Sequence, residues 1–308
     1  MTSAVTTAPR PHRPWLAPLM GLSFVVIWCT GYPAAKIIVA HSSPFTALSL
    51  RFACAALIFG ALAVIGRVAW PGWKEAGHSA VVGCLQLAMQ FGGVYGAMRL
   101  GASGSFAALV IGAMPLAVSG FAWATGEPIG RRQWLGLVVG FAGVWLVIGN
   151  SLLDAQASVP AIALLLVGLV GIASGTLYQK RHGSTIDLRA GLAIQNFAAT
   201  LALLPLAIGL DHFYLDGSPT FWKATAWIVL VNSVGGFALL FLLIRNGAAT
   251  QVAALFYLVP AVGAVMSHFA LGEVLTWLEI AGFFVAAAGV WLGTRPVRVA
   301  ASAPLDHR

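Results

Sequence analysis

Three amides stand in sequence that is otherwise apolar: Gln86 and Gln90, four positions apart, and Asn232. A buried amide in a bilayer costs free energy unless it is paired, so each is kept for a hydrogen bond to a neighbouring helix or to a ligand. Amides offer donors and acceptors without charge, a lining suited to a zwitterionic or otherwise polar substrate. The competing reading is interhelical glue, worth roughly 1 kcal/mol per bond, and residue type alone leaves both open. On a helix, Gln86 and Gln90 share a face that Gly93 extends.

The cations add a second chemistry. Arg51 lies deep in an apolar run, where it could hold a substrate carboxylate or a helix C-terminal carbonyl. Lys36 and Lys180 stand at the ends of such runs and could attract a carboxylate at the two mouths of a pathway, although snorkelling to headgroups accounts for them as well. Trp28, Tyr32, Tyr95, Trp123, Tyr178 and Tyr257 lie at comparable depth, and cavity-facing rings can stack on an amphipathic substrate while a hydroxyl or indole N–H orients it. Trp28, Tyr95 and Tyr257 are the substrate-binding candidates among them. Gly31, Pro33, Pro115 and Pro260 mark helix breaks, where a missing backbone donor leaves polar backbone that must face protein or a wet cavity.

Other chemistries lack their equipment. There is no His-Glu-x-x-His, no pair of mid-membrane aspartates and no Ser/His dyad set in helices, so an intramembrane enzyme is disfavoured. No Gly-x-x-x-x-Gly-Lys-Ser/Thr occurs, no ring of charge or filter-like glycine loop suggests a channel, and no spacing of Cys29, Cys54 and Cys84 suggests a metal. No metal or cofactor is therefore expected. All nine acidic residues map to loops, tails or helix ends, which removes the commonest intramembrane proton relay and points to facilitated transport.

The elements that must position these residues follow from composition. With 59% hydrophobic and 8% charged residues over 308 positions, the chain belongs in a bilayer. Its net charge of +8 reads as membrane topology and not as nucleic-acid binding. Apolar runs of spanning length cover 15–40, 44–65, 78–100, 102–125, 132–148, 159–179, 188–210, 222–244, 248–271 and 277–293, predicting ten transmembrane helices and an all-α membrane protein. With the N-terminus inside, thirteen of the 17 basic residues fall on the cytoplasmic side, and only Lys36, Arg51, Arg99 and Lys223 on the other. Both termini are therefore expected in the cytoplasm.

The second half repeats the first. A shift of 146 superposes Arg99 on Arg245, Gly101 on Gly247, Gly126-Glu127 on Gly272-Glu273, and Ala142-Gly143-Val144-Trp145-Leu146 on Ala288-Gly289-Val290-Trp291-Leu292, and it places Gln86 on Asn232. A shift of 144 places Gly31 on Gly175, Lys36 on Lys180 and Arg51 on Gln195. Two units of five crossings each must run in opposite directions, so the repeats are inverted around a central cavity. The expected organisation is a tail at 1–14, a first repeat at 15–149, a linker at 150–158, a second repeat at 159–294 and a tail at 295–308.

Thr30-Gly31 followed by Lys36, then Pro44 with Arg51, the proline-broken helix, Glu127 and the Gly136/Gly143 helix, with much of this duplicated, resembles the ten-helix exporters of the drug/metabolite transporter superfamily with paired EamA-type domains. The resemblance implies an inner-membrane carrier exporting small amphipathic metabolites, amino acids foremost, by alternating access without ATP. A multidrug exporter and a nucleotide-sugar carrier are the alternatives within that superfamily. The expected partners are a small-molecule substrate and the lipid bilayer. Gly136-x-x-x-Gly140, Gly171-x-x-x-Gly175 and Gly289-x-x-x-Gly293 read as packing surfaces, within a monomer or between two copies.

Overall fold

Long apolar stretches in lipid must satisfy their backbone internally, and this chain does so as helices. The computed structural model describes residues 16–127, 130–153, 158–182, 186–236, 239, 243 and 258–294. Among them the one departure toward β-structure is an isolated bridge between Ser42 and Leu215. In chain order the elements are α1 (Leu16–Cys29), α2 (Gly31–His41), α3 (Pro44–Ile65), α4 (Trp73–Val82), a π-helical segment (Gly83–Met89) running on into α5 (Gln90–Arg99), α6 (Gly104–Gly112), α7 (Met114–Ala124), α8 (Arg131–Leu153), α9 (Val159–His182), α10 (Leu188–Gly209), α11 (Pro219–Ala226), a second π-helical segment (Trp227–Gly235), α12 (Val259–Leu271) and α13 (Trp277–Thr294).

Six described stretches are long and apolar enough to cross a membrane: Leu19–His41, Pro44–Ile65, Trp73–Arg99, Gly104–Ala124, Val159–His182 and Leu188–Gly209. Val259–Leu271 and Trp277–Leu292 are shorter apolar helices. The first part of the expected ninth span, with Tyr257, lies outside the described residues. The third span begins at Trp73, earlier than the expected 78, because a polar first turn with Lys74 and Glu75 extends the apolar rod.

Local chemistry sets the ends. Pro44 and Pro219 stand in the first turns of α3 and α11, where a missing N–H is no loss. The hydroxyls of Ser103 and Ser218 accept hydrogen bonds from the N–H groups of Phe106 and Phe221, capping α6 and α11. Gly126 and Gly272 both take left-handed φ values, +91° and +69°, so the same glycine-glutamate pair follows α7 and α12 in the two repeats.

The packing has the symmetry of the duplication. Helix α3 packs on α10, α6 on α12, and α8 on α13. The rod of α4, the first π segment and α5 packs on α9, while α11 and the second π segment pack on α2. Exchanging the repeats turns this set of pairs into itself, which is the signature of two related halves. Large apolar side chains such as Leu57, Phe269 and Phe284 face outward, as lipid contact requires, and Trp73 and Trp277 stand exposed at helix starts where interfacial anchors belong.

Glycine makes the α8–α13 seam possible. A Cβ on Gly289 would overlap the backbone of Gly140 and Gly136, and one on Gly143 would overlap Ala286 and Gly282. The small-residue motifs read in these helices thus pack within one chain. Gly289→Ala should therefore lower the detergent melting temperature by several degrees, since overpacking costs about 1–3 kcal/mol. Gly120→Ala, where a Cβ meets open space, should leave it unchanged. Equal melting temperatures for the two variants would contradict the seam.

Candidate functional site

The site begins with a break in the first span. Helix α1 stops at Cys29 and α2 starts at Gly31, two residues before Pro33, which has no N–H to donate backward. The carbonyl this deprives of its helical donor is that of Cys29, one turn earlier, and the carbonyls just before it take additional side-chain donors. Asn232, in the second π segment, supplies them: its Nδ2 donates to the carbonyls of Ile27 at 2.6 Å and Trp28 at 3.2 Å. Thr30 Oγ1 donates to the Ile27 carbonyl at 2.6 Å and accepts from Trp227 Nε1 at 3.1 Å. A side chain at position 31 would crowd the Asn232 amide at 3.1 Å, so glycine keeps that approach open.

The two π segments occupy corresponding places. Shifted by 146, Gly83–Met89 falls on 229–235, inside Trp227–Gly235. Such widened turns are rare and frequent at functional sites. Gln86 lies in the first and Asn232 in the second. Gln86 Nε2 donates to Thr176 Oγ1 at 3.0 Å, and its side chain abuts Gly175 as Asn232 abuts Gly31. The contacts match, but their consequences differ. Helix α9 runs unbroken through Gly175, with Leu177 where the first repeat has Pro33, so Gln86 bridges two helices while Asn232 caps a break.

Between α2, α3, α5 and the second π segment lies a cavity of about 30 Å³ lined by Trp28, Gly31, Tyr32, Ala35, Arg51, Gln90, Phe91, Val94, Tyr95 and Asn232. That volume holds water and not a metabolite, so helices must separate to admit one. The structure brings Trp28, Gly31, Arg51, Gln90, Tyr95 and Asn232 together here. Gln86 does not line the cavity: it and Gly93 face α9, whereas Gln90, whose backbone also packs on α9 at Gly168 and Gly171, is among the cavity-lining residues. Gln90 is 4% exposed, and among the described residues its carboxamide has no protein partner.

Arg51 is 6% exposed. Its Nη1 and Nη2 stand 3.4 Å from Tyr95 Oη and 3.5 Å from Ser233 Oγ, at the long limit for hydrogen bonds, and its buried Nε has no partner. The guanidinium lies 4.3 Å from the Phe91 ring centroid and 5.4 Å from that of Phe52. Sequence reasoning passed over Phe91, Val94 and Ser233, which look like ordinary core residues until Arg51 is placed among them.

The other candidates lie elsewhere. Lys36 Nζ donates to the carbonyls of Met98 at 3.2 Å and Ala102 at 2.7 Å, and Arg99 reaches back to the Val39 carbonyl at 3.1 Å. The Glu273 carboxylate accepts from the N–H groups of Gly104 at 2.8 Å and Ser105 at 3.1 Å and from Ser105 Oγ at 2.9 Å. Asp211 caps the start of α3 through Phe45 and Thr46, and Asp216 meets His41 at 2.6 Å. The Ser218 backbone N–H, helped by His41, holds the Asp216 carboxyl below the usual carboxylate range. These ties gather at one end of the bundle. Lys180 stands at the opposite end of the fourth span, exposed, 3.6 Å from Glu127, which Arg181 also approaches at 3.4 Å. Pro115 opens α7 after the break at Ala113, and Pro260 packs against Gly112 beside that break. Tyr178 stacks with His182 and meets His78 at 2.7 Å, and Trp123 packs against Trp134.

Comparison with known proteins gives a consistent picture. The profile of a family described as the EamA-like transporter family matches residues 15–149 and again 159–295. The uncharacterized transporter YvbV of Bacillus subtilis (strain 168) is 29% identical over 281 residues, covering 88% of this chain and 89% of that protein. The uncharacterized inner membrane transporter YedA of Escherichia coli (strain K12) is 26% identical over 90% of this chain and 92% of its own length. A protein of Salmonella typhimurium named "Probable amino-acid metabolite efflux pump" is 24% identical over 91% of this chain and 95% of its own. One crystal structure, 17% identical, matches with a TM-score of 0.64 over 90% of this chain and 96% of its own, a likeness of fold.

Proposed function

The chain belongs to the EamA-like transporter family, and from that premise we propose that it exports small amphipathic metabolites, amino acids foremost, by alternating access without ATP. The observation that carries this reading is the cavity at the α1–α2 break, where residues of both repeats bring a cation, two amides and several rings to one place. A site built by both halves changes exposure when one half rocks against the other. Its near-closed volume is that of a state between openings. The name given to the Salmonella relative agrees with an amino-acid-derived substrate.

The alternatives fit the lining less well. A nucleotide sugar asks for several convergent basic groups, and the lining carries Arg51 alone. A cationic drug asks for a carboxylate, and the lining offers amides and hydroxyls instead. The excess of basic residues on the N-terminal side supports the proposed orientation, with both termini in the cytoplasm and the carrier in the inner membrane.

Counterflow tests the reading. Proteoliposomes loaded with one unlabelled amino acid should take up the same labelled amino acid transiently, and a panel identifies which are carried. With equal concentrations on both sides, a pH gradient should drive no accumulation of a net-neutral substrate. Absence of counterflow across the whole panel would refute amino-acid export, and accumulation abolished by a protonophore would refute uncoupled transport.

A further inference from the structure

A cation buried in a membrane protein without a carboxylate beside it is an incomplete arrangement. Desolvating a guanidinium costs several kcal/mol in general, and an opposite charge is what usually offsets it. Arg51 is 6% exposed, and the residues lining its cavity include no Asp or Glu. Each acidic residue in the described part is engaged elsewhere or stands at a helix end: Asp211 on the start of α3, Glu273 on the start of α6, Glu127 with Lys180 and Arg181, Asp187 with Arg189, Asp216 with His41, Glu279 on Thr276, and Glu75 in the first turn of α4. What surrounds Arg51 is a pair of distant hydroxyls, the faces of Phe91 and Phe52, and an Nε with no acceptor.

This arrangement suits one kind of occupant. The hydroxyls of Tyr95 and Ser233 stand 3.4 and 3.5 Å from the two terminal nitrogens, too far to hold them firmly. A carboxylate accepts from an arginine fork in two parallel bonds and supplies the missing charge. The ring of Phe91, with Trp28, Tyr32 and Val94, offers an apolar surface for the remainder of the molecule. For an ammonium group the cavity has only neutral acceptors, such as the carboxamide oxygens of Gln90 and Asn232. Hydrogen bonds to these leave the desolvation of a second buried charge unmatched.

Resting on the carrier reading above, we infer that Arg51 is a carboxylate-anchoring residue and that the carrier selects amphipathic monocarboxylates by that group alone, with no requirement for an ammonium group. N-acylated and deaminated relatives of an amino acid are then substrates alongside the amino acid itself. These relatives carry a net negative charge, and an inside-negative membrane potential drives them outward. At equilibrium 100 mV would give about a 50-fold gradient for a monovalent anion. For such substrates export needs neither ATP nor a proton relay.

The test uses the purified full-length protein and two probe series, phenylalanine and leucine. Each series comprises the amino acid, its amide, its N-acetyl derivative and its deaminated acid. Thermal stabilisation in detergent reads binding, and counterflow with protein-free liposomes subtracted reads transport. In at least one series the N-acetyl derivative and the deaminated acid should bind at least as tightly as the amino acid, and the amide at least about tenfold more weakly than the amino acid. Arg51→Gln should erase that discrimination, and Arg51→Lys should restore part of it by keeping the charge without the fork. If these variants do not fold, the wild-type series decides. In potassium-loaded liposomes with valinomycin, efflux of the N-acetyl derivative should quicken with an inside-negative potential, and efflux of the amino acid should not. An amide that binds as well as its acid, an N-acetyl derivative that fails where the amino acid binds, or anion efflux indifferent to potential would each overturn the inference. If neither series is carried while other members of the amino-acid panel are, the inference falls and the carrier reading stands. If nothing in the panel is carried, both fall.

Discussion

Asn232→Leu should slow counterflow by at least about tenfold, while Gln86→Leu, at the equivalent position of the other repeat, should slow it less than about threefold. The two amides look alike in sequence and make matching contacts with Gly31 and Gly175. Their environments set them apart. Asn232 donates to two carbonyls at the end of α1, beside the α1–α2 break. Leucine would remove both of these bonds, the Ile27 carbonyl keeping Thr30 Oγ1 at 2.6 Å, and would project an apolar group into the cavity; two buried hydrogen bonds are together worth about 1–3 kcal/mol. Gln86 donates to Thr176 Oγ1, a hydroxyl that keeps its own bond to the Ile172 carbonyl at 2.7 Å whatever happens to Gln86. Its loss forfeits one interhelical bond, on average about 0.6 kcal/mol in a membrane protein. Initial counterflow rates, normalised to folded protein in the bilayer, check the difference. Equal losses for the two variants would show that the break needs no cap.

That contrast shows what was legible before the structure. The duplication was written in matched residues from Arg99 to Leu146 and from Arg245 to Leu292, and lipid dictates helices for apolar runs of that length. The clustering of Trp28, Gly31, Arg51, Gln90, Tyr95 and Asn232 was partly legible, because polar and helix-breaking residues are rare in such runs and each asks for a reason. The face of the third span was not. Four-residue spacing puts Gln86 and Gln90 together on an α-helix, but the turn at Gly83–Met89 is π-helical, a backbone choice that residue type does not announce. Phe91 was invisible for a different reason: an aromatic residue beside many others acquires meaning only from the cation 4.3 Å from its ring centre. Lys36 and Lys180 share a place in the repeat but not a partner, since one meets backbone carbonyls within the bundle and the other an exposed carboxylate.

The unequal partners of Glu127 and Glu273 lead to the second large effect. These residues are repeats of one another, each directly after a left-handed glycine. Glu127 meets Lys180 and Arg181, both well exposed, and surface ion pairs of that kind are worth about 0–1 kcal/mol. Glu273 also reaches across the repeats, but to the start of α6, where it accepts from the N–H groups of Gly104 and Ser105 and from the Ser105 hydroxyl. Charge-assisted bonds at a helix N-terminus are the stronger kind. Beside them, Lys36 ties α2 to carbonyls in the last turn of α5 and just after it, and Arg99 ties α5 back to α2. Glu273 is therefore the side chain whose loss should most loosen this end of the bundle. A destabilisation of about 2 kcal/mol would raise the population open at that end roughly 30-fold. In a cysteine-free background, Ala35→Cys places a thiol in the cavity lining, and the rate at which a membrane-impermeant maleimide modifies it reports access. Adding Glu273→Ala should raise that rate at least about tenfold from the side opposite the termini, the outer side in the orientation proposed above. Adding Glu127→Ala should change it less than about twofold. An unchanged rate with Glu273→Ala, or a rise from the side of the termini, would show that this carboxylate does not hold the cavity shut.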